Sequence, residues 1–469
     1  MAPPSGDRRP FLLFLAHPLT GHLTPAVRVA SALHSRGWPV FVLGPTAHQA
    51  RIAASGATFF PLQGDADLDD LAYYSPDNPR PPVPDYYARD WRQRNLVDVE
   101  AQCLRPIPAQ WASVKAALKV LHARDPSRQV VVVCEAVFHG LMPLFYGATL
   151  PEGVPRPRSI CLSVTVPLIR SVDLPPFGPY KRLAFDPSPE GRARNAAAWE
   201  RWDERRAPLR RMLDEKLLEA GAARGVDGSF LAGANYLCHD IVLQLGVPGF
   251  FYPRSDWPAK FRFAGIILAA QPPPGGWGNL PAWWDDVLSA ADPLDGSRRK
   301  KVVVVAQGTV EFDPHDLIIP TIRALAGRTD DVLVVAILGR RGATLPPNEA
   351  LPANVRVADY LSYEAVLPHA DVWVHNAGYG AVTHGIAHGV PMVVAGEGQD
   401  KPENARRVAY SRIGIDLDTG RPGAEAVRKA VEEVLADGKF RERVEELRAE
   451  AEALDCFDCV ERAVTELTE

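Results

Sequence analysis

The chain has 469 residues, and its 52 Lys and Arg against 57 Asp and Glu give a formal net charge of −5. This length predicts two or three domains whose cores need neither disulfides nor a structural metal. The acidic balance argues against a general nucleic-acid binder, because phosphate contacts need a basic surface. Six cysteines in a chain this long do not make a disulfide framework.

The first element in the chain is the apolar run 11–16, which we interpret as a buried strand. A signal peptide is the alternative, but the run stops at His17-Pro18 and a polar, glycine-containing turn follows. No segment approaches the ~20 apolar residues of a membrane span. The sequence therefore predicts a cytoplasmic, reduced protein, in which the CxxC spacing of Cys456 and Cys459 is incidental to a terminal helix.

Strand-like runs alternate with helical patterns in both halves of the chain, which is typical of doubly wound α/β domains. The predicted strands cover 11–16, 40–43, 58–61 and 130–134 in the first half, and 302–306, 332–338, 355–357, 372–375 and 391–395 in the second. Helices are predicted at about 25–35, 49–54 and 192–218, and along much of 424–468. The Pro/Gly run 271–276 lies between the halves and predicts the domain boundary.

The turn after the first predicted strand carries the motif HPLTGHLTP at residues 17–25. Groups at the carboxyl ends of parallel strands line the ligand crevice of an open α/β sheet. His22 in this turn can act as a general base, because an imidazole titrates near neutral pH. The alternative is that His22 caps the following helix or packs under the turn.

Glu135 directly follows the four valines of the predicted strand 130–134. In that position its carboxylate would orient the imidazole of His22 and stabilise the imidazolium that forms when the base takes a proton. A helix N-cap or a first-turn acid, favoured by the helix dipole, is an equally open interpretation.

Two turns in the second half are candidate ligand contacts. Gln307-Gly308-Thr309 follows a predicted strand, where a glycine lets the backbone approach a ligand closely, although these three residues alone favour an ordinary tight turn. The run VWVHNAGYGAVTHG at 372–385 combines a strand end, a glycine turn and a helix start, which aims free amides at a phosphate. It lacks the third glycine and the closing acid of a dinucleotide fingerprint, which disfavours a nicotinamide dehydrogenase.

The order of these motifs resembles that of the inverting UDP-glycosyltransferases with the GT-B fold, a superfamily that includes plant secondary-product glucosyltransferases and bacterial macrolide glycosyltransferases. The likeness spans nearly the whole chain and is strongest over 11–45 and 355–415. It implies an α/β protein of two Rossmann-like doubly wound domains that face each other across a cleft. The implied parts are an acceptor-binding domain at 1–270, a linker at 271–295, a donor-binding domain at 296–445 and a helix at 446–469 that returns to the first domain.

The resemblance also implies which residues form the site. In that family a Gly-His pair supplies the catalytic base, here His22, and a later acid activates it, here Glu135, where the family usually has Asp. An aromatic residue that stacks on the uracil corresponds to Tyr360, where plant members carry Trp. The implied donor-binding residues are Gly21, Gln307, Gly308, Thr309, Tyr360, Leu361, His375, Asn376, Gly378, Tyr379, Gly380, His384, Asp400 and Lys401.

Four of these donor residues depart from the family pattern. Asn376 stands where the family has its phosphate-binding His, and His375 where it has Thr. His384 replaces the acid that holds the ribose hydroxyls, and Asp400-Lys401 replaces an Asp-Gln pair that contacts the sugar. These departures concern the identity of the donor rather than the fold.

The acceptor is expected in the first domain, under the loop 175–180 and the aromatic-rich segment 85–91. An apolar wall is expected from Phe138, Phe177, Tyr180 and Trp202, although ordinary core packing is an equal alternative for these side chains.

The function implied by the resemblance is an inverting transfer of a sugar, most often glucose in this family, from a UDP-sugar to a hydroxyl of a small hydrophobic acceptor such as a phenolic. No cofactor and no metal are expected, and the DxD at 416–418 is interpreted as incidental. The expected partners are donor and acceptor, without nucleic acid or a membrane span, and the protein is expected to be a monomer or weak dimer. The alternatives are a sugar-nucleotide epimerase, a sterol or lipid glycosyltransferase, a dTDP-sugar transferase and a non-catalytic auxiliary subunit.

Overall fold

The chain divides into two compact units. The computed structural model describes residues 9–75, 78, 82–177, 185–269, 277–278, 280–293, 298–308, 310–311 and 313–469. The N-terminal unit comprises Met1–Leu245, Arg254–Ala264 and Cys456–Glu469, and the C-terminal unit comprises Gly246–Pro253 and Gly265–Asp455. The Pro/Gly run 271–276 lies outside the described residues.

Each unit contains one sheet in which every paired strand is parallel. The strands are β1 (Phe11–Leu15), β2 (Val40–Gly44), β3 (Thr58–Pro61), β4 (Val130–Glu135), β5 (Arg158–Ser163), β6 (Ile241–Gln244), β7 (Phe261–Phe263), β8 (Lys301–Ala306), β9 (Val332–Ile337), β10 (Val355–Ala358), β11 (Val372–His375), β12 (Met392–Val394) and β13 (Gly414–Asp416). The N-terminal sheet has the order β3-β2-β1-β4-β5-β6-β7 and the C-terminal sheet the order β10-β9-β8-β11-β12-β13. The prediction of two doubly wound α/β sheets is confirmed.

Helices connect most of the strands, because parallel neighbours need a crossover that is usually an α-helix, whereas β6 and β7, and β9 and β10, are joined without one. The helices are α1 (Thr20–Ser35), α2 (Gln49–Ala54), α3 (Asp70–Tyr73), α4 (Trp91–Asp98), α5 (Ile107–Arg124), α6 (Met142–Phe145), α7 (Pro189–Glu219), α8 (Ala234–Leu237), α9 (Trp284–Ala291), α10 (Ile318–Leu325), α11 (Tyr363–Val366), α12 (Tyr379–Ala387), α13 (Lys401–Tyr410), α14 (Ala424–Ala436), α15 (Gly438–Leu454) and α16 (Cys456–Glu466). A π-helical turn, Val99–Leu104, follows α4.

The central strands of both sheets are buried, which explains their runs of aliphatic residues. All five residues of β1 are buried, and Leu13 pairs with Val132 of β4. In the C-terminal unit Val303 and Val305 of β8 are 0% exposed and pack with α10 and α14.

The starts of α1 and of the last segment of the chain differ from the sequence prediction by five residues or more. Helix α1 begins at Thr20 rather than near Pro25, so that the proline, which is commonest in the first turn of a helix, lies inside it. The last segment of the N-terminal unit begins at Cys456, whereas the sequence predicted that it begins at 446. The C-terminal unit extends to Asp455 and therefore includes α15. Within the N-terminal unit, Glu461 of α16 accepts hydrogen bonds from Arg36 and Trp38.

The order of the strands locates the crevice in each sheet. Chain order reverses between β1 and β4 in the N-terminal unit and between β8 and β11 in the C-terminal unit. In open α/β sheets, ligands bind outside the carboxyl ends of the strands at this reversal, where the following loops separate. The four segments that follow these strands carry the motifs singled out in the sequence.

Candidate active site

The carboxyl ends of β1 and β4 bring His22 and Glu135 into direct contact. His22 lies in the first turn of α1, and Glu135 is the last residue of β4. The Nδ1 atom of His22 lies 3.0 Å from Oε1 of Glu135, and the side chains are 23% and 0% exposed, respectively. With Nδ1–H donating to the carboxylate, Nε2 is left as the basic nitrogen.

Further hydrogen bonds fix both members of this pair. Oε1 of Glu135 also accepts the amide of Val137 at 3.0 Å, so that the carboxylate is held from two sides. At the start of α1, Oδ2 of Asp70 accepts the amide of Thr20 at 2.6 Å, and its Oδ1 lies 3.1 Å from Nε2 of His48. Asp70 therefore anchors the turn that carries His22. Sequence reasoning missed Asp70, because nothing in its spacing relates it to the first strand.

A second imidazole lies behind His22. The rings of His17 and His22 are 5.6 Å apart in an edge-to-face arrangement, and His17 is fully buried. Burial, with a smaller contribution from repulsion by His22, holds the pKa of His17 well below its usual range. His17 is therefore neutral at pH 7, and the exposed ring, His22, is the one placed to exchange a proton with a ligand.

The carboxyl ends of β8 and β11 form a second polar cluster, in the C-terminal unit. Gly308 follows β8 with a φ of 77°, and Gly378 is the N-cap of α12. The first amides of a helix have no acceptor within the helix, so this end of α12 is suited to an anion. Ala377, between β11 and the N-cap, has a φ of 61°, a conformation that is strained for a residue with a Cβ.

Asn376, Lys401 and Glu311 form the centre of this cluster. Nδ2 of Asn376 donates to Oε2 of Glu311 at 3.2 Å and to the backbone oxygen of Gln307. Nζ of Lys401, whose side chain is 7% exposed, lies 3.1 Å from Oε1 of Glu311. The carboxylate of Glu311 thus occupies the donors that an anionic ligand would use. Nothing in the sequence pattern singled out Glu311, because only the folded loop brings it to these donors.

The other predicted donor residues fall into an exposed and a buried group. Tyr360 is 49% exposed, with the guanidinium of Arg341 4.8 Å from its ring centre. Gly21 and Gly380 have open space where a Cβ would lie. His384 is half-buried near Glu364, and Asp400 accepts a hydrogen bond from Asn404.

The buried group does not present its side chains to a ligand. The side chain of Gln307 bonds with Asp313, Leu317 and Ile318, which makes it a connection between β8 and α10. Leu361 and Tyr379 are 5% and 6% exposed. His375 is 1% exposed, its Nδ1 accepts the amide of Ala377, and burial lowers its pKa to about 3. Thr309 lies outside the described residues.

Two of the four residues expected in the acceptor wall pack in the interior instead. Phe138 is 2% exposed and packs in the core with residues of β1 and α5. Trp202 is 1% exposed, and its indole N–H donates to the backbone oxygen of Phe230, so both side chains belong to the interior. Phe177 is half-buried, and Tyr180 lies outside the described residues.

Across the described part of the chain, every helix is too short or too polar to serve as a membrane span.

Comparisons with known proteins find relatives that span nearly the whole chain. Residues 321–467 match the family described as erythromycin biosynthesis protein CIII-like, C-terminal domain. UDP-glucosyltransferase 1 of Beauveria bassiana (strain ARSEF 2860) is 36% identical over 461 residues, 97% of this chain and 94% of that protein. UDP-glucosyltransferase A1 of Starmerella bombicola is 35% identical over 477 residues, 100% of this chain and 94% of that protein.

The fold is shared with a solved structure. The crystal structure of the glycotransferase of kitacinnamycin superposes with a TM-score of 0.68 at 23% identity, and the match covers 98% of this chain and 100% of that chain.

Proposed function

The chain belongs to the UDP-glycosyltransferases with the GT-B fold, and from this we propose that it transfers glucose from UDP-glucose to a hydroxyl of a small hydrophobic acceptor, with inversion at the anomeric carbon. As a member of this family it is a UDP-dependent glycosyltransferase. The observation that carries the mechanism is the 3.0 Å contact between His22 and the buried Glu135 at the strand reversal of the N-terminal sheet.

His22 acts as the general base in the proposed reaction. Its Nε2 takes the proton of the acceptor hydroxyl, and the acceptor oxygen attacks the anomeric carbon from the side opposite the diphosphate. The C1–O bond to the diphosphate breaks as the new C1–O bond forms, so a single displacement inverts the configuration. Glu135 keeps Nδ1 protonated and stabilises the imidazolium, the role that an acid plays in an acid–histidine pair.

The C-terminal unit supplies the proposed donor site. Negative charge gathers on the leaving diphosphate, and donors aimed at that charge stabilise the transition state. Such donors are provided by the first amides of α12 and by the side chains of Asn376 and Lys401, without a divalent metal. The carboxylate of Glu311 has to move away from these two side chains when the diphosphate binds. Tyr360 offers an exposed ring on which the uracil can stack.

The preference for glucose comes from the relatives. Both of the full-length relatives described above carry UDP-glucosyltransferase in their names. Metal independence, a monomeric or weakly dimeric state and a cytoplasmic location stay predictions. A non-catalytic subunit is disfavoured because the base and its acid partner are both present and in contact.

The test is a comparison of the wild-type chain with His22→Ala. Both proteins are titrated with UDP, and turnover is measured with UDP-glucose, other UDP-sugars and dTDP-sugars against phenolic, sterol and lipid acceptors, with and without a chelator. We expect UDP to bind both proteins similarly and His22→Ala to lose transfer. Transfer that persists in His22→Ala would overturn the assignment of the base, and preference for a dTDP-sugar would overturn the assignment of the donor.

A further inference from the structure

Glu364, His384 and His388 gather around one point of the C-terminal unit. His384 and His388 are four residues apart at the end of α12, so they lie on the same face of that helix. Their rings are nearly parallel, with an interplanar angle of 16° and centroids 6.3 Å apart. Glu364, in the first turn of α11, places one carboxylate oxygen towards each ring.

The distances within this cluster suit a metal ion. Oε2 of Glu364 lies 3.0 Å from Nε2 of His388, and Oε1 lies 3.8 Å from Nδ1 of His384. One ligand atom from each residue lies within 4.8 Å of the other two, and no other such group of three occurs in the part of the chain that is described. Tetrahedral zinc bonds of about 2.0–2.2 Å separate neighbouring ligand atoms by roughly 3.3–3.6 Å, which small side-chain movements would reach here.

The chemistry of these ligands selects the class of metal. Two imidazoles and one carboxylate are the set that zinc and related transition metals accept, whereas calcium and magnesium prefer oxygen ligands alone. The side chains of His388, Glu364 and His384 are 4%, 12% and 27% exposed, so the site is partly shielded and opens on the His384 side. Water or another ligand can complete the coordination there.

We propose that Glu364, His384 and His388 bind a divalent transition-metal ion of the zinc class, and that the bound metal opposes donor binding. The second part rests on the proposed function and on the resemblance, in which His384 corresponds to the acid that holds the ribose hydroxyls of the donor. When Nδ1 of His384 coordinates a metal, it is no longer available to a ribose hydroxyl. The metal is therefore an antagonist of the donor rather than a cofactor of the transfer.

Titration of the full chain with zinc chloride tests the first part. We expect one Zn²⁺ to bind per wild-type chain. His388→Gln keeps an amide that can donate to Glu364 but removes the imidazole, and should bind Zn²⁺ at least about 10–100-fold more weakly, the loss typical for removal of even an outer-shell partner. Unchanged binding in His388→Gln overturns the site. The intense visible bands of four-coordinate Co²⁺ should appear with the wild type and be lost in Glu364→Gln, with melting curves confirming that both variants fold.

Two control variants exclude other zinc ligands. His315→Asn removes an exposed His–Asp pair, in which Nδ1 of His315 lies 2.8 Å from Asp313. Cys459→Ser removes one thiol of the CxxC spacing on α16. Both should bind Zn²⁺ like the wild type, and loss of binding in either one would contradict the proposed site.

Titration with UDP in the presence and absence of Zn²⁺ tests the second part. We expect Zn²⁺ to weaken UDP binding to the wild type and to leave UDP binding to His388→Gln unchanged. If Zn²⁺ binds but UDP affinity stays the same or rises, the antagonism is wrong while the metal site stands. If UDP fails to bind even without metal, the proposed donor site fails, whereas the zinc titration still decides the metal site.

Discussion

Replacing Glu135 with Gln separates the charge of this residue from its shape. Oε1 of Glu135 accepts from both His22 and the amide of Val137 at 3.0 Å. In Glu135→Gln the side-chain oxygen can occupy the position of Oε1 and accept both hydrogen bonds. The flipped amide is disfavoured, because it would place the NH2 group against two donors. The tautomer and orientation of His22 should therefore survive in Glu135→Gln, and the negative charge beside the imidazolium is what the variant loses.

The size of this loss follows from the contact distance and the burial. A unit charge pair at about 4 Å near a protein surface interacts with roughly 4 kcal/mol, and a hydrogen bond to a charged group contributes about 1.5–3 kcal/mol against about 1 kcal/mol for a neutral one. We therefore expect a rise of about 2–4 kcal/mol in the barrier, which is about a 30- to 1000-fold fall in kcat. Glu135→Leu, which no longer selects the tautomer protonated at Nδ1, should fall further, towards the about 10⁴-fold loss that follows when a catalytic histidine is in the wrong tautomer.

The assay is steady-state transfer to a series of phenols of different acidity, together with UDP titration of each variant. A more acidic hydroxyl needs less help from the base, so the defect of Glu135→Gln should shrink as the pKa of the phenol falls. Affinity for UDP should stay at the wild-type value, because the pair lies in the N-terminal unit. A kcat for Glu135→Gln within about threefold of wild type would refute the assigned role.

Three further predictions concern other residues. Glu311→Gln removes the anion that holds Lys401 and Asn376, so UDP should bind about 5–30-fold more tightly by calorimetry, and weaker binding would mean that Glu311 itself contacts the donor. Asp70→Ala leaves the half-buried Thr20 amide without its acceptor, so urea unfolding should show a loss of about 1–3 kcal/mol, and kcat should fall while UDP affinity holds. Burial lowers the pKa of His139 to about 4 and that of His239 to about 3, so between those values and about 6.5 the unfolded chain binds more protons and stability falls as the pH falls. Each such group should lower the free energy of unfolding by about 1.4 kcal/mol between pH 7.5 and 5.5. In His239→Leu the fall in stability over this pH range should be smaller by that amount, and an unchanged fall would mean that the ring of His239 is not buried in the folded protein.

The sequence by itself predicted the parts of the fold that depend on local pattern. Four valines in succession at 130–133 and at 302–305 identified β4 and β8, because a strand covered on both faces must be apolar along its whole length. The strands β5, β6 and β7 were missed because β6 has only four residues and β5 and β7 carry the charged residues Arg158 and Arg262, so none of them is a long apolar run. Helix α1 began earlier than predicted because a proline inside a helix looks, in sequence, like the start of one.

The motifs also predicted that His22 and Glu135 lie close together, because the position of a residue at the carboxyl end of a central parallel strand is fixed by the order of the strands. His22 follows β1 and Glu135 is the last residue of β4; the strand order makes these strands neighbours, and the contact follows from that adjacency. The direction in which a side chain points is decided by its packing partners instead. This is why His375, Trp202 and Phe138 turned out to be interior residues although they belong to motifs or to apolar segments near the site.

Only the tertiary structure revealed Asp70, Glu311 and the cluster of Glu364 with two histidines. Asp70 is 50 residues from the amide that it accepts, and Glu311 is 90 residues from Lys401, so no local spacing connects these partners. Burial of a strand or helix imposes an apolar pattern that repeats along the whole element, so it can be recognised in the sequence. A contact between two polar side chains is a single event between distant segments, and it exists only once the sheet order has brought those segments together.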